Sequence, residues 1–243
     1  LYDRFVNQGA VMGDSFGLEN VLWFANNKED AHEEPTIKRS RSHDYVSKEV
    51  INVRENVGLI EVANFSKHEF KGPDARKFLD HIMAGRLPKP GRISLSPMLS
   101  YRGKLCGDLT VACLDENEFM VFGSGAAQEM HRRWFESHLD KFNLNYKNRS
   151  DEFHGLSIAG PNSRKVLEKI VRDDVSNEKF KFRDSRRMFV GGVPALVNRI
   201  SFTGELGYEI YVAPHYQLKL YEELIEAGKE FNIKPFGGRA LMS

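Results

Sequence analysis

Apolar residues recur along this chain with two different periods, and the changes between them divide it into helices and strands. The plainest helix follows Gly72-Pro73-Asp74, where Ala75, Phe78, Leu79, Ile82 and Met83 recur at helical spacing before Gly85. Proline early and glycine at the end punctuate such a segment. Tyr45–Asn56, with Val46, Val50, Ile51 and Val53, predicts a helix, and so does Ala126–Leu139, with Met130, Trp134, Phe135 and Leu139 inside. Shorter runs predict strands at Val57–Ala63, Lys67–Phe70 and Arg92–Ser100. A hairpin is predicted for Asp108–Leu114 and Glu118–Phe122, turning at Asp115-Glu116-Asn117. Leu1–Phe24 is apolar, aromatic and Gly-rich (Phe5, Phe16, Leu22, Trp23, Phe24) but has neither period, which predicts an irregular packed segment. Ala25–His43 turns polar and charged and reads as a surface loop or linker.

The second half repeats this order. Gly155–Ala159 predicts a strand, and Gly160-Pro161-Asn162-Ser163-Arg164-Lys165 opens a helix with Val166, Leu167 and Ile170. The same opening stands at Gly72-Pro73-Asp74-Ala75-Arg76-Lys77. Strands at Met188–Phe189, Val193–Ile200 and Thr203–Val212 follow, then a helix near Tyr216–Ala227 that buries Leu218, Leu220, Tyr221, Leu224 and Ile225. A second echo joins Arg102–Val111 to Thr203–Val212, pairing Gly103 with Gly204, Asp108 with Glu209 and Val111 with Val212. The helix openings lie 88 residues apart (Gly72 to Gly160) and the carboxylates 101 (Asp108 to Glu209), which predicts a loop insertion between repeats. Two motifs in one order argue for an internal repeat. The expected fold is α+β: two pseudo-repeated units, residues 45–150 and 151–243, about a pseudo-twofold axis, with a ligand in the crevice between them.

Composition narrows the function. The net charge of +1 argues against a polyanion binder, and no apolar run is long enough for a membrane-spanning helix. Cys106 and Cys113 make neither a disulfide framework nor a zinc spacing and fit a reducing compartment; Cys106 reads as packing. No His-Glu-x-x-His run, Gly-x-Gly-x-x-Gly after a strand, or phosphate-binding loop occurs, so no metal site is expected. Leu1 and the run Gly238–Ser243, which resembles a helix just starting, both read as cuts through a longer chain.

The candidate chemistry centres on Asp108 and Glu209. Either carboxylate could bond its own turn backbone. Either could instead accept a side-by-side pair of N–H donors, such as the 2-amino group and ring N–H of a pterin. Tyr101 and Tyr208, beside the carboxylates, could stack on a ring; Leu95 and Phe65 could line an apolar channel; Arg239, after Gly237-Gly238, could meet an anionic tail.

Gly91-x-Ile93 through Pro97-Met98-Leu99, Gly103-x-Leu105-x-x-Asp108-Leu109-x-Val111, Ile158-x-Gly160-Pro161, Thr203-Gly204-Glu205-x-Gly207-Tyr208-Glu209-Ile210 and Gly238-Arg239-Ala240 resemble the folate-binding domain of the glycine-cleavage T-protein, an aminomethyltransferase. Tyr2-Asp3-Arg4, Gly9-Ala10-Val11 and Gly17-Leu18-Glu19 with Trp23-Phe24 are similar to the connecting segment of a narrower set, the dimethylglycine and sarcosine dehydrogenases or oxidases. The resemblance therefore implies that residues 1–44 connect to an upstream flavin domain, and that the fragment stops before the family's C-terminal barrel. It implies tetrahydrofolate in a central channel, with Asp108 catalytic near the reactive nitrogens, Glu209 reading the pterin edge and Arg239 anchoring the ligand. FAD would belong only to the upstream domain, where amine oxidation releases a carbon captured as 5,10-methylenetetrahydrofolate. Two departures, Gly107 before Asp108 where the T-protein commonly has a second Asp, and Ser124 at a ligand-contacting Asn, favour the flavin-linked branch over lipoyl-carrier chemistry. A stand-alone aminomethyltransferase and a non-catalytic folate-binding module are the other readings. Bacterial cytoplasm or mitochondrial matrix is the implied location.

Overall fold

The computed structural model describes every residue except Phe16, so that part of the N-terminal reading lies outside the described residues. The chain opens with a short helix α1 (Tyr2–Asn7) and a hairpin of β1 (Ala10–Ser15) and β2 (Leu18–Phe24), followed by helix α2 (Ser42–Glu55). The first half continues as β3 (Val57–Glu61), β4 (Ser66–Lys71), α3 (Ala75–Ile82), β5 (Arg92–Leu99), β6 (Leu105–Asp115), β7 (Glu118–Gly123), α4 (Gln128–Glu136) and β8 (Asn145–Asn148). The second half runs β9 (His154–Ala159), α5 (Ser163–Glu168), β10 (Ser185–Val190), β11 (Val193–Asn198), β12 (Gly207–Val212), α6 (Gln217–Gly228), β13 (Ile233–Pro235) and α7 (Gly238–Leu241).

These strands form two open sheets, ordered β5-β6-β7-β4-β8 and β10-β11-β12-β9-β3-β13. In each, a strand leading into the Gly-Pro turn (β4 or β9) pairs with the last of the three strands that follow the helix. Gly72 and Gly160 hold that turn at φ of 141° and 127°, where an L side chain is strained. A Cβ on Gly160 would stand 2.4 Å from the Val53 carbonyl oxygen. The sheets exchange one strand each: β3, which leads into β4, pairs with β9, and β8, which leads into β9, pairs with β4. Residues 45–150 therefore supply the whole five-stranded sheet and lend β3 to the other, whereas residues 151–243 contribute to the six-stranded sheet alone.

Side-chain alternation assigns the faces. Leu109, Val111 and Cys113 of β6 pack on one side against Phe78, Leu79 and Ile82 of α3 and Phe135 of α4. Tyr208, Ile210 and Val212 of β12 join Val166 and Leu167 of α5 and Leu220, Tyr221 and Leu224 of α6. The remaining faces meet each other through Ile93, Ala112, Met120 and Phe122 from one sheet and Ile60, Ala159, Leu196 and Tyr211 from the other. Helix, sheet, sheet and helix thus form four layers. The central strand β12 is buried along its whole length.

Three expectations change. Leu1–Phe24 is regular: α1 and the hairpin pack Phe5 edge-on to Phe24 and Tyr221, while Trp23 stacks near Tyr45 of α2 with ring centroids 5.0 Å apart. Met130 and Leu218 sit on the outer faces of their helices and are exposed, each one residue away from a buried position, His131 after Met130 and Gln217 before Leu218. The echoed runs also hold different places in their sheets. Arg102–Val111 covers the β5–β6 turn and the second strand of its trio, whereas Thr203–Val212 leads into the third. The two third strands start at Glu118 and Gly207, 89 residues apart and close to the 88 of the helix openings, so no insertion is needed. Asp108 and Glu209 are not equivalent positions.

Candidate active site

Between the two sheets lies a cavity of about 550 Å³, within the range that holds small organic ligands. Period 2 supplies its first wall. Asp108 and Thr110 of β6 point into the intersheet space, the neighbouring strand adds Leu95 opposite Thr110, and β7 adds Phe122 on the other side. The opposing sheet contributes Glu209 from β12, and the segment between β11 and β12 contributes Ile200, Ser201 and Phe202. Asn64 and Phe65, between β3 and β4, and Ser124, just past β7, close one end. The N-terminal hairpin reaches the same cavity with Leu18 and Asn20.

The two carboxylates meet different surroundings. Asp108 is solvent-exposed. Glu209 is 9% exposed, and burial pushes its carboxyl up from an ordinary 4.5 to about 7, partly offset by a hydrogen bond that favours the charged form. That bond is donated by the Tyr211 hydroxyl to Glu209 Oε2 at 2.9 Å. The Tyr211 ring stacks on Phe122, with centroids 4.6 Å apart and planes inclined by 28°, and so ties the buried acid to the opposite wall. Beyond it lies Lys67, fully buried, whose Nζ sits 5.9 Å from the Tyr211 ring centroid and donates to the Ala63 carbonyl at 2.6 Å. Desolvation pulls that ammonium down to about 8, against the opposing pull of Asp151 and Glu61.

Asp108, Glu209, Leu95, Phe65 and Ser124 therefore share one cavity. Three other expected residues lie elsewhere. Tyr101 is 86% exposed in the β5–β6 turn, with the Arg102 guanidinium over its ring. Tyr208 neighbours Glu209 in sequence, so it must point to the opposite face of β12; it is buried there, stacked on Phe180, and accepts a hydrogen bond from Arg164. Arg239 donates to Ser42 and Glu33, fastening α7 to the first residue of α2 and to the segment before it. Thr110 and Tyr211 could have been found from the sequence by stepping two residues along each strand from its acid. Phe122, Phe202 and Asn20 carry no such signal, since they arrive through strand pairing and loop placement.

The arrangement offers acceptors at two ends of an apolar slot: one exposed carboxylate, and one buried carboxylate with a single oxygen already engaged. Among the described residues no cluster of His, Cys, Asp or Glu could hold a metal ion, and no helix is long and apolar enough to cross a membrane.

Comparison with known proteins agrees with this architecture. A family model described as the GCVT N-terminal domain matches residues 1–243. The mitochondrial dimethylglycine dehydrogenase of Mus musculus is 35% identical over 233 residues, 95% of this chain and 27% of that protein. An aminomethyltransferase of Thermoanaerobacter pseudethanolicus is 31% identical over 188 residues, 76% of this chain and 50% of that protein. The crystal structure of glycine cleavage system aminomethyltransferase T from Bartonella henselae superposes with a TM-score of 0.81 at 21% identity, covering 99% of this chain and 59% of that one. The chain thus spans about a quarter of the length of the dimethylglycine dehydrogenase it matches. With the whole of its length matched and its four-layer fold shared, the chain belongs to the GCVT N-terminal domain family of aminomethyltransferase-like proteins.

Proposed function

We propose that the intersheet cavity binds tetrahydrofolate and that the chain is the one-carbon transfer module of a dimethylglycine or sarcosine dehydrogenase-like protein. The observation that carries this reading is the placement of Asp108 and Glu209, from opposing sheets, on the walls of one cavity of about 550 Å³. The residues present fit the ligand. Glu209 offers a desolvated acceptor to a pterin edge, and Phe65, Leu95 and Phe122 supply apolar walls. The bound folate would supply nitrogens able to take up a one-carbon unit, with 5,10-methylenetetrahydrofolate as the product.

In this reading Glu209 accepts the paired N–H donors of the pterin and fixes its orientation. Asp108, nearer solvent, accepts the proton released as the folate nitrogen forms its new bond, and its charge stabilises the positive charge developing there. Amine oxidation, and FAD with it, belongs to a domain outside these 243 residues. The dimethylglycine dehydrogenase branch is favoured because that match extends over 95% of the chain, against 76% for the aminomethyltransferase of Thermoanaerobacter pseudethanolicus. The shared strand order and twin Gly-Pro turns support an origin of the two sheets by duplication. Calorimetric titration with 5-formyltetrahydrofolate tests binding. Asp108→Asn in the full-length protein tests transfer. We expect near-normal folate affinity with methylenetetrahydrofolate formation down by about 10²-fold or more. A normal rate in that variant would remove Asp108 from the mechanism and leave a binding module.

A further inference from the structure

Glu209 has polar neighbours that the reading above does not use, and one of them is a buried tyrosine packed on several sides. Glu209 and Tyr211 lie two residues apart on β12, so both point into the intersheet space. Opposite them in register are Asn198 and Leu196 on β11, and Ser157 and Gly155 on β9. Gly155 leaves room for the tyrosine ring: a Cβ there would stand 2.7 Å from Tyr211 Cε1. Phe122 stacks on the ring, and the Lys67 ammonium lies over it at 5.9 Å. The ring is thus packed against β9, β7 and β4, and its hydroxyl reaches Glu209 Oε2 at 2.9 Å.

We propose that Tyr211 is the positioning residue for Glu209: its clamped hydroxyl engages one carboxylate oxygen and turns the other toward the ligand. This rests on Glu209 as the reader of the pterin edge. An acid with one oxygen engaged presents a single orientation, which favours one edge of the heterocycle over its alternatives. The same bond favours the ionised carboxylate against the burial that opposes it. Apart from Asp108, the other charged groups on the packed elements face away or are paired. Arg199, at the end of β11, donates to the Phe180 carbonyl and Asn177. Glu61 of β3 accepts from Gln217, which also contacts His154 of β9. Lys67 is bonded to Ala63, and Asp108 stands across the cavity. Tyr211 is thus the direct hydrogen-bonding partner through which the carboxylate is set.

The test is the affinity for 5-formyltetrahydrofolate between about pH 6 and 9, a range in which Glu209 titrates, measured for the unaltered chain, Tyr211→Phe and Glu209→Gln. The unaltered chain should lose affinity as pH falls through about 7. Tyr211→Phe keeps the ring and its stacking; even at the alkaline end its affinity should fall by about 3- to 10-fold, because the carboxylate is no longer held in one orientation, and its midpoint should move up by about one pH unit. Glu209→Gln should bind weakly at every pH and show no midpoint. A Tyr211→Phe midpoint that coincides with the unaltered one, beside a weakened Glu209→Gln, overturns the role of Tyr211 alone. Glu209→Gln binding as well as the unaltered chain throughout overturns the pterin-edge reading, and the role of Tyr211 with it. A thermal melt of each variant separates loss of binding from loss of folding.

Discussion

Glu209→Gln should make the ligand-free domain more stable, because the carboxylate is held where it is least comfortable as an ion. Burial lifts its pKa from 4.5 to about 7. For an acid raised in the folded state, the favourable linkage is complete below the unfolded value and is lost as pH rises through the folded one. Below about pH 4.5 the group is neutral in both states and costs nothing as an ion. Above about pH 7 it is charged in both, and folding carries the full penalty. A displacement from 4.5 to about 7, at about 1.4 kcal/mol per pH unit, amounts to roughly 3 kcal/mol. Glutamine keeps an oxygen for the Tyr211 hydroxyl but adds an N–H₂ group without a partner, which takes back about 1–2 kcal/mol. The expected net gain is about 1–2 kcal/mol at pH 8, or about 2–8 °C in Tm for a chain of this size. Urea or thermal unfolding of the two ligand-free chains at pH 8 and near pH 4 measures it, and the gain should shrink or reverse at the lower pH. A difference that is the same at both pH values, or a loss of stability at pH 8, would refute the argument that Glu209 is a desolvated ion. The gain in stability should accompany a loss of ligand binding, as expected where a site keeps a group that the fold alone would not choose.

Two further predictions follow from burial and backbone geometry. Lys67→Met removes an ammonium whose folded pKa is lowered from 10.5 to about 8, so the unaltered chain gains stability as pH rises from about 8 to 10.5; the variant should be about 1–3 kcal/mol more stable at pH 7 and lose that advantage by pH 10.5, read from unfolding curves. Gly160→Ala places a Cβ 2.4 Å from the Val53 carbonyl oxygen at a φ of 127°, and should cost about 2–4 kcal/mol in the same unfolding assay; a cost within about 0.5 kcal/mol would mean the turn relaxes freely.

Much of the fold was legible because its elements are locally encoded. Helix α3 carries its own punctuation in Gly72-Pro73 and its own buried stripe in Phe78, Leu79 and Ile82. The order of helices and strands followed from such local periods, and so did the pair of Gly-Pro turns. The N-terminal hairpin was not legible, because β2 has mostly half-buried positions and its partners, α2 and α7, lie far along the chain. Strands β8 and β13 are only four and three residues long and take their regularity from β4 and β3.

For the site, residue chemistry alone singled out Asp108 and Glu209 as carboxylates following glycine turns, and both turn glycines do adopt positive φ, 71° at Gly103 and 80° at Gly204. That is a property of a few neighbouring residues and needs no tertiary information. Which strands carry the two acids, and which side chains surround them, depended on pairing across the whole chain. The local resemblance of the two runs suggested equivalent places, but the sheets seat one on a second strand and the other on a third. Tyr208 stood as close to Glu209 in sequence as any residue can, yet the pleat turned it into the helix-side core. Tyr211 reached the acid because two steps along a strand restore the same face, and Phe122 reached it because a second sheet packs there. A sequence specifies the period of a strand; the sheet it joins, and what lies across from it, are settled only when distant segments compete for the same buried surface.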